Sequence, residues 1–268
     1  MAVSTRLSCT LMQRYRQWVV IGDPITSGAD LGTVLGVWAH PDDEAYLSSG
    51  LMAQAVEAGS RVVCVTATRG EGGSLDLERW PPSSLAEVRT TELERCLSIL
   101  GVTEHIFLDF PDVDWDSPLP AEGANAVDHI VRDVRPDAVV TFGPEGMTNH
   151  EGHKSVSDWT TRAFAQHAPA GAALYYSVLS RAWGDRFVPM LQEVGVYRDG
   201  QDPPIVDDDG LDIDIVLTGD MLDRKMRAIY EHTSQLEGLI QTFGSEVLTE
   251  ALAHESFIRA PVAAGGRS

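Results

Sequence analysis

Residues 34–44 read Val34-Leu35-Gly36-Val37-Trp38-Ala39-His40-Pro41-Asp42-Asp43-Glu44. Val34–Trp38 is a short unbroken apolar run, and it stops abruptly at His40-Pro41. A strand buried on both faces reads this way, because neither face needs polar residues. Downstream, Ala45 to Ala58 places Leu47, Leu51 and Ala55 at helical spacing and ends at Gly59, a residue suited to the position just past a helix. Arg61 to Thr66 predicts a second strand, followed by a glycine-rich loop over Thr68–Gly73. Ser84 to Leu100 predicts a helix stopped by Gly101, His105 to Leu108 a third strand, and Ala121 to Val134 a helix ending before Pro136. Asp137 to Phe142 predicts a fourth strand, with a loop over Gly143–Asn149. Strands alternating with helices imply a mostly parallel sheet covered on both faces, a Rossmann-like three-layer α/β sandwich.

The C-terminal part is less regular. Leu211–Leu217 alternates apolar and acidic residues, which predicts a half-exposed, antiparallel strand, and Met221–Glu231 predicts a helix. Val196–Gly210, with its Asp and Pro clusters, predicts a surface loop. The expected organisation is an N-terminal extension over 1–30, one domain over 31–260 and a flexible tail over 261–268.

The 268 residues include 43% hydrophobic and 22% charged, the composition of a packed chain. Lys and Arg number 20 against 40 Asp and Glu, a formal charge of -20. Such a field repels phosphate backbones and anionic lipid, so no nucleic-acid partner and no membrane insertion are expected. No apolar run approaches the ~20 residues of a spanning helix. Cys9, Cys64 and Cys96 form neither a disulfide framework nor a CxxC site, which fits a reducing cytoplasm. The composition is compatible with a homo-oligomer and does not specify one.

In sheets of this kind ligands collect beyond the carboxyl ends of the strands. The first strand delivers His40, Asp42, Asp43 and Glu44; the second Thr68, Arg69 and Glu71; the fourth His150 and His153. Histidine and carboxylate converging from separate strand ends are the donor types of a catalytic zinc site with an open position. His40 and Asp43, three apart at a strand-to-helix turn, can face one ion, with His153 as third ligand. Asp42 then points toward the open position, where a base is useful. Capping of the following helix also accounts for Asp42 and Asp43, but not for two histidines on another strand end. A nucleotide-binding reading needs a G-x-G-x-x-G turn or a P-loop, and neither is present.

The stretch Ala39–Glu44 resembles the signature of the LmbE-like (PIG-L) zinc de-N-acetylases. Four further motifs follow in that family's order: Thr68–Gly73, Arg89-Thr90-Thr91-Glu92-Leu93, Phe142–Gly146 with His150-x-x-His153, and His232-Thr233-Ser234-Gln235. The resemblance implies that His40, Asp43 and His153 bind one divalent ion per chain, zinc or iron. It also implies that Asp42 is the general base, that His150 stabilises the oxyanion and that Arg89 contacts sugar hydroxyls. The implied substrate is a small-molecule N-acetylglucosamine-type conjugate. An amidase of the mycothiol S-conjugate type and a metal-binding pseudoenzyme are the alternatives. Where the family has His-Pro-Asp-His, this chain has His150-Glu151-Gly152-His153, so the carboxylate that partners the oxyanion histidine is missing.

The chemistry is coherent with those roles. Zinc lowers the pKa of a water it binds to ~7. Asp42 takes the remaining proton, His150 helps hold the oxyanion, and either Asp42 or His150 returns a proton to the leaving amine. Arg89 has a second reading, a surface arginine paired with Glu92. Glu44 reads as a helix-start residue, Glu71 as an acceptor of backbone N–H groups, and His232 as a satisfied helix-end histidine. Cys64 reads as core, and Tyr175-Tyr176 as a strand packing pair. His105, His129, His167 and His254 show no partner pattern.

Overall fold

The computed structural model describes residues 23–74, 76–197 and 200–262. Its strands are β1 (Val34–Trp38), β2 (Val62–Thr68), β3 (Glu104–Phe110), β4 (Ala138–Phe142), β5 (Ala173–Ser180), β6 (Ile205–Val206), β7 (Ile213–Val216) and β8 (His254–Arg259). They lie in the order β3-β2-β1-β4-β5-β8-β7, with β6 paired to β5 off this path. β1 to β5 pair in parallel, while β8 runs antiparallel to both β5 and β7. Every residue of β1, β2, β4 and β5 is buried, which is why their sequences are apolar without alternation. β3 is an edge strand and alternates exposed with half-buried residues. β7 has Ile213 and Ile215 buried and Val216 exposed, the alternation its sequence predicts.

The helices are α1 (Asp43–Glu57), α2 (Pro82–Leu100), α3 (Gly123–Val134), α4 (Glu151–His167), α5 (Arg181–Glu193), α6 (Gly219–Tyr230), α7 (Thr233–Phe243) and α8 (Ser245–Leu252). α1, α2 and α6 pack on one another, and α3 packs against α4. Gly101 takes the left-handed conformation that ends α2, at φ 81°. The layered α/β reading holds.

Several local expectations need correction. The sequence places His150 and His153 on a strand end, but they belong to α4, an element the apolar periodicity does not announce. His150 is the N-cap of α4, its side chain accepting the Gly152 N–H, and His153 lies in the first turn. The surface loop over Val196–Gly210 contains β6 and a buried Tyr197. His254 pairs with Asp214 and His167 with Asp128. Of the expected N-terminal extension, residues 1–22, Cys9 among them, lie outside the described residues. Ile25 bridges Ile213, and Gly28 N–H donates to Gln54 of α1 at 2.9 Å. Of the tail, 263–268 also lie outside the described residues.

One topological feature positions the chemistry. β1 sends its connection to β2 on one side, and β4 lies on its other side, so the crevice at the carboxyl ends of β1 and β4 is a switch point. Trp38 and Phe142, the last residues of these two strands, meet edge to face at 5.0 Å and floor that crevice.

Candidate active site

The site begins at the turn between β1 and α1. Asp42 has φ 125° and ψ -29°, a conformation that costs a non-glycine residue free energy unless its surroundings impose it. Three contacts impose it. Glu44 Oε2 accepts the Asp42 N–H at 3.0 Å. Arg89 Nη2 donates to the Pro41 carbonyl at 2.6 Å and to Asp42 Oδ2 at 3.1 Å. Behind the turn, Thr68 donates both its N–H and its hydroxyl to the Ala39 carbonyl.

His40, Asp43 and His153 come together, each less than a tenth exposed. His40 Nδ1 and His153 Nε2 are 3.2 Å apart, His40 Nδ1 and Asp43 Oδ2 3.6 Å, and His153 Nε2 and Asp43 Oδ1 3.4 Å. Zinc–ligand bonds of roughly 2.0–2.1 Å in tetrahedral geometry separate ligands by roughly 3.3–3.4 Å, so the two imidazole nitrogens and the Asp43 carboxylate lie close to the spacing of one ion's donors. Two imidazole nitrogens facing each other at 3.2 Å accommodate either one proton or a cation between them. The donor set fits a divalent metal.

The rings are held from behind. His153 Nδ1 meets the Gly146 carbonyl at 3.0 Å, which leaves Nε2 bare toward the cluster, and Phe142 stacks on this ring at 4.1 Å. His40 Nε2 faces Asp112 Oδ1 at 3.5 Å. Asp112 in turn accepts the Gly72 N–H, and its own N–H is taken by Glu71 Oε1 at 3.1 Å. Glu71 therefore has the loop-holding contact expected of it. Sequence reading missed Asp112, although its position just past β3 was the signal available.

The charges follow from burial and neighbours. Burial alone would lower the His40 pKa, but Asp112 and Asp43 outweigh it and hold it up at about 9. Burial works against ionised Asp43 as well, yet His153 and His40 keep its carboxyl below the usual range. Asp42 is pushed up to about 7, chiefly by burial, with Asp43 and Glu44 adding to the push and Arg89 opposing it. A carboxylate in that range can take and return a proton near neutral pH. His150 is pushed down to about 3 by burial and by the neighbouring His40 and His153. It is a neutral imidazole whose Nδ1 accepts the Gly152 N–H at 3.0 Å, so its proton sits on Nε2. Trp115 lies against the same ring, with centroids 4.5 Å apart.

Arg89 is buried, and the surface reading of it fails. Its Nη1 also donates to the Gly70 carbonyl at 2.9 Å. Glu92 is engaged elsewhere, by the N–H and hydroxyl of Ser234. Glu44 is more than a helix-start residue, since it is fully buried and meets His232 Nε2 at 3.1 Å.

The family profile described as GlcNAc-PI de-N-acetylase (PIG-L) matches residues 35–164. A 1D-myo-inositol 2-acetamido-2-deoxy-alpha-D-glucopyranoside deacetylase of Acidothermus cellulolyticus is 30% identical over 233 residues, covering 76% of this chain and 80% of that protein. The chain belongs to the PIG-L family. A deacetylase of the same name from Kineococcus radiotolerans is 37% identical, over 52% of this chain and 46% of that protein, so that match spans less than half of the relative's length. Among solved structures, the N,N'-diacetylchitobiose deacetylase from Pyrococcus horikoshii has the same fold. Its TM-score is 0.59 at 21% identity, over 97% of this chain and 94% of that one. The PIG-L match spans the strands and helices that carry His40, Asp42, Asp43, Arg89, His150 and His153. No helix among the described residues is long and apolar enough to cross a membrane.

Proposed function

We propose that this PIG-L protein hydrolyses the acetamide of a small N-acetylglucosamine-type conjugate, of the glucosaminyl-inositol kind for which its relatives are named. His40, Asp43 and His153 hold one divalent ion in this reading, zinc fitting the donor set best. The observation that carries it is the placement of Asp42, a largely buried carboxylate held by Arg89, immediately beside three converging metal donors.

Bound zinc supplies a Lewis acid and makes water a competent nucleophile at neutral pH. Asp42 takes the proton that water loses as its oxygen bonds to the acetyl carbon. His150 donates its Nε2–H to the acetyl oxygen as that atom gains charge, a contribution of about 3–4 kcal/mol where such donors have been removed. Asp42 then returns its proton to the amide nitrogen as the C–N bond breaks, giving acetate and a free amine. Arg89 spends three donor contacts on Gly70, Pro41 and Asp42, which makes it a support for the base. One further Nη1 proton is assigned to a sugar hydroxyl.

The test is acetate release from 1D-myo-inositol 2-acetamido-2-deoxy-alpha-D-glucopyranoside by zinc-loaded protein. Equimolar acetate and free amine are expected. Metal-loaded protein that releases neither would overturn the reading. Elemental analysis addresses the ligands separately: wild type should hold about one ion per chain, and His153→Ala should lose most of it, because a two-ligand site binds weakly.

A further inference from the structure

The tetrapeptide His232-Thr233-Ser234-Gln235 lies about 190 residues from Asp42 in sequence, at the junction of α6 and α7. Three of its side chains each reach a different element of the site. His232 Nε2 meets Glu44 Oε1 at 3.1 Å, and the other oxygen of that carboxylate holds the Asp42 N–H. Ser234 gives its N–H and its hydroxyl to the two oxygens of Glu92, at 2.8 and 2.7 Å. Glu92 sits one turn along α2 from Arg89, on the same side of the helix. Gln235 Nε2 donates to the Gly73 carbonyl at 3.2 Å, in the loop whose Gly70 carbonyl receives Arg89. That loop closes on the guanidinium: a Cβ at Gly70, where φ is +70°, would run into it, and one at Gly73 would lie 2.7 Å from Nη1.

Glu44 and Arg89 hold Asp42 at φ 125°, and the glycine loop holds Arg89 in turn through the Gly70 carbonyl. His232, Glu44, Ser234 and Glu92 are all buried, with His232 and Glu44 fully so. A buried pair linking two remote segments adds local packing in any protein. Here His232 grips one support of the strained residue directly, while Ser234 and Gln235 anchor the helix and the loop between which its other support, Arg89, is held. We infer that His232, Ser234 and Gln235 are positioning residues that brace the Asp42 assembly from behind, so that proton transfer depends on a motif remote from it in sequence.

The inference rests on Asp42 being the base, as proposed above. It is tested with full-length, zinc-loaded His232→Met, His232→Gln and Gln235→Ala. His232→Met removes the donor to Glu44, whereas glutamine returns an N–H near the position of Nε2. Because misplacing a reacting group by about 1 Å costs about 100-fold, His232→Met should lose about 10- to 100-fold in kcat, with KM within about threefold. Its metal content should stay at that of wild type, and His232→Gln should recover most of the lost kcat. Amide exchange across residues 38–47 should quicken in His232→Met, and across 68–74 in Gln235→Ala. A folded His232→Met with wild-type kcat and exchange overturns the inference, as does one that loses metal in proportion to activity. If His232→Met does not fold, Gln235→Ala decides: wild-type kcat together with unchanged exchange overturns it. If wild type itself releases no acetate, the hydrolase reading has failed, and the exchange measurements still decide whether the tetrapeptide holds the Asp42 turn.

Discussion

Two buried charged clusters flank helix α1, and they are built on opposite principles. Midway along the helix, Lys225 and Glu255 form an ion pair at 2.6 Å with no exposure on either side chain. Lys225 also donates to the Tyr46 carbonyl, and Glu255 accepts the N–H groups of Gly50 and Leu51. Both oxygens of that carboxylate are engaged, as a buried charge requires. At the head of the same helix, His40, Asp43 and His153 turn their donor atoms toward one another, and Asp42 is held in a backbone conformation that few residues tolerate. The first cluster is satisfied by the chain itself. The second has the donor types and spacing of a divalent-ion site, the reading proposed above.

The largest effect that this contrast predicts is on rate. Asp42→Asn cannot accept a proton, so kcat should fall by about 10²- to 10⁴-fold with metal content unchanged. Stability should move the other way. Burial works against ionised Asp42, so the neutral amide should leave the metal-free protein as stable as wild type or more stable above pH 7. Turnover of Asp42→Asn near the wild-type rate would remove Asp42 as the base.

Lys225→Met should do the reverse. Stranding Glu255 as a lone buried charge should cost about 3–5 kcal/mol, read from urea denaturation. Metal bound per folded molecule should not change. A variant that lost metal while keeping its stability would show that the two clusters are not separate in function.

The Glu44–His232 pair lies between the two kinds, and pH separates its contribution. Burial alone would lower the His232 pKa, but the hydrogen bond and charge of Glu44 outweigh it and raise it, with Asp42 adding to the rise and Arg89 opposing it; Cys96 also lies against Glu44. A raised folded-state pKa stabilises the fold fully below the ordinary value of about 6.5, and that stabilisation is lost as pH rises through the folded value. The stability difference between wild type and His232→Gln should therefore shrink from pH 6 to pH 9. A difference that stays constant over this range would mean that His232 is neutral in the fold.

Much of this was legible in sequence for reasons that the structure makes plain. Strands β1, β2 and β4 are buried on both sides, so their composition reads directly. His40, Asp42 and Asp43 sit in one contiguous turn, and spacing places them together. Helix α4 was not legible, because its buried side includes Gly152, His153, Ser157 and Thr160 as well as Val156 and Phe164, which blurs the apolar stripe. Asp112 and the partner of Glu44 were hidden for a different reason. Each contact joins segments far apart in the chain, and no local pattern encodes such a pairing. The burial of Arg89 escaped for the same cause, since it follows from Gly70 and Gly73 leaving room for a guanidinium.

The smallest predicted effect concerns Gly152, where the family's aspartate is missing. A left-handed backbone would explain glycine at this position, but Gly152 is an ordinary helical residue in the first turn of α4. Its lack of a side chain matters sterically instead. A Cβ there would lie 3.2 Å from His150 Nδ1 and 3.3 Å from Cε1, so the imidazole would have to give by a few tenths of an ångström. In an exposed helix, alanine for glycine gains about 0.5–1 kcal/mol from reduced backbone freedom. Here that gain is set against displacement of the ring proposed to donate to the acetyl oxygen. Gly152→Ala should keep its metal and be at least as stable as wild type, yet lose roughly three- to tenfold in kcat, with KM little changed if the donor acts mainly in the transition state. The same loss appearing in KM alone would place His150 in substrate binding. An unchanged kcat in a folded Gly152→Ala would show that the imidazole absorbs the contact without moving its Nε2–H, and that the position of His150 is set by Trp115 and the stacked His153.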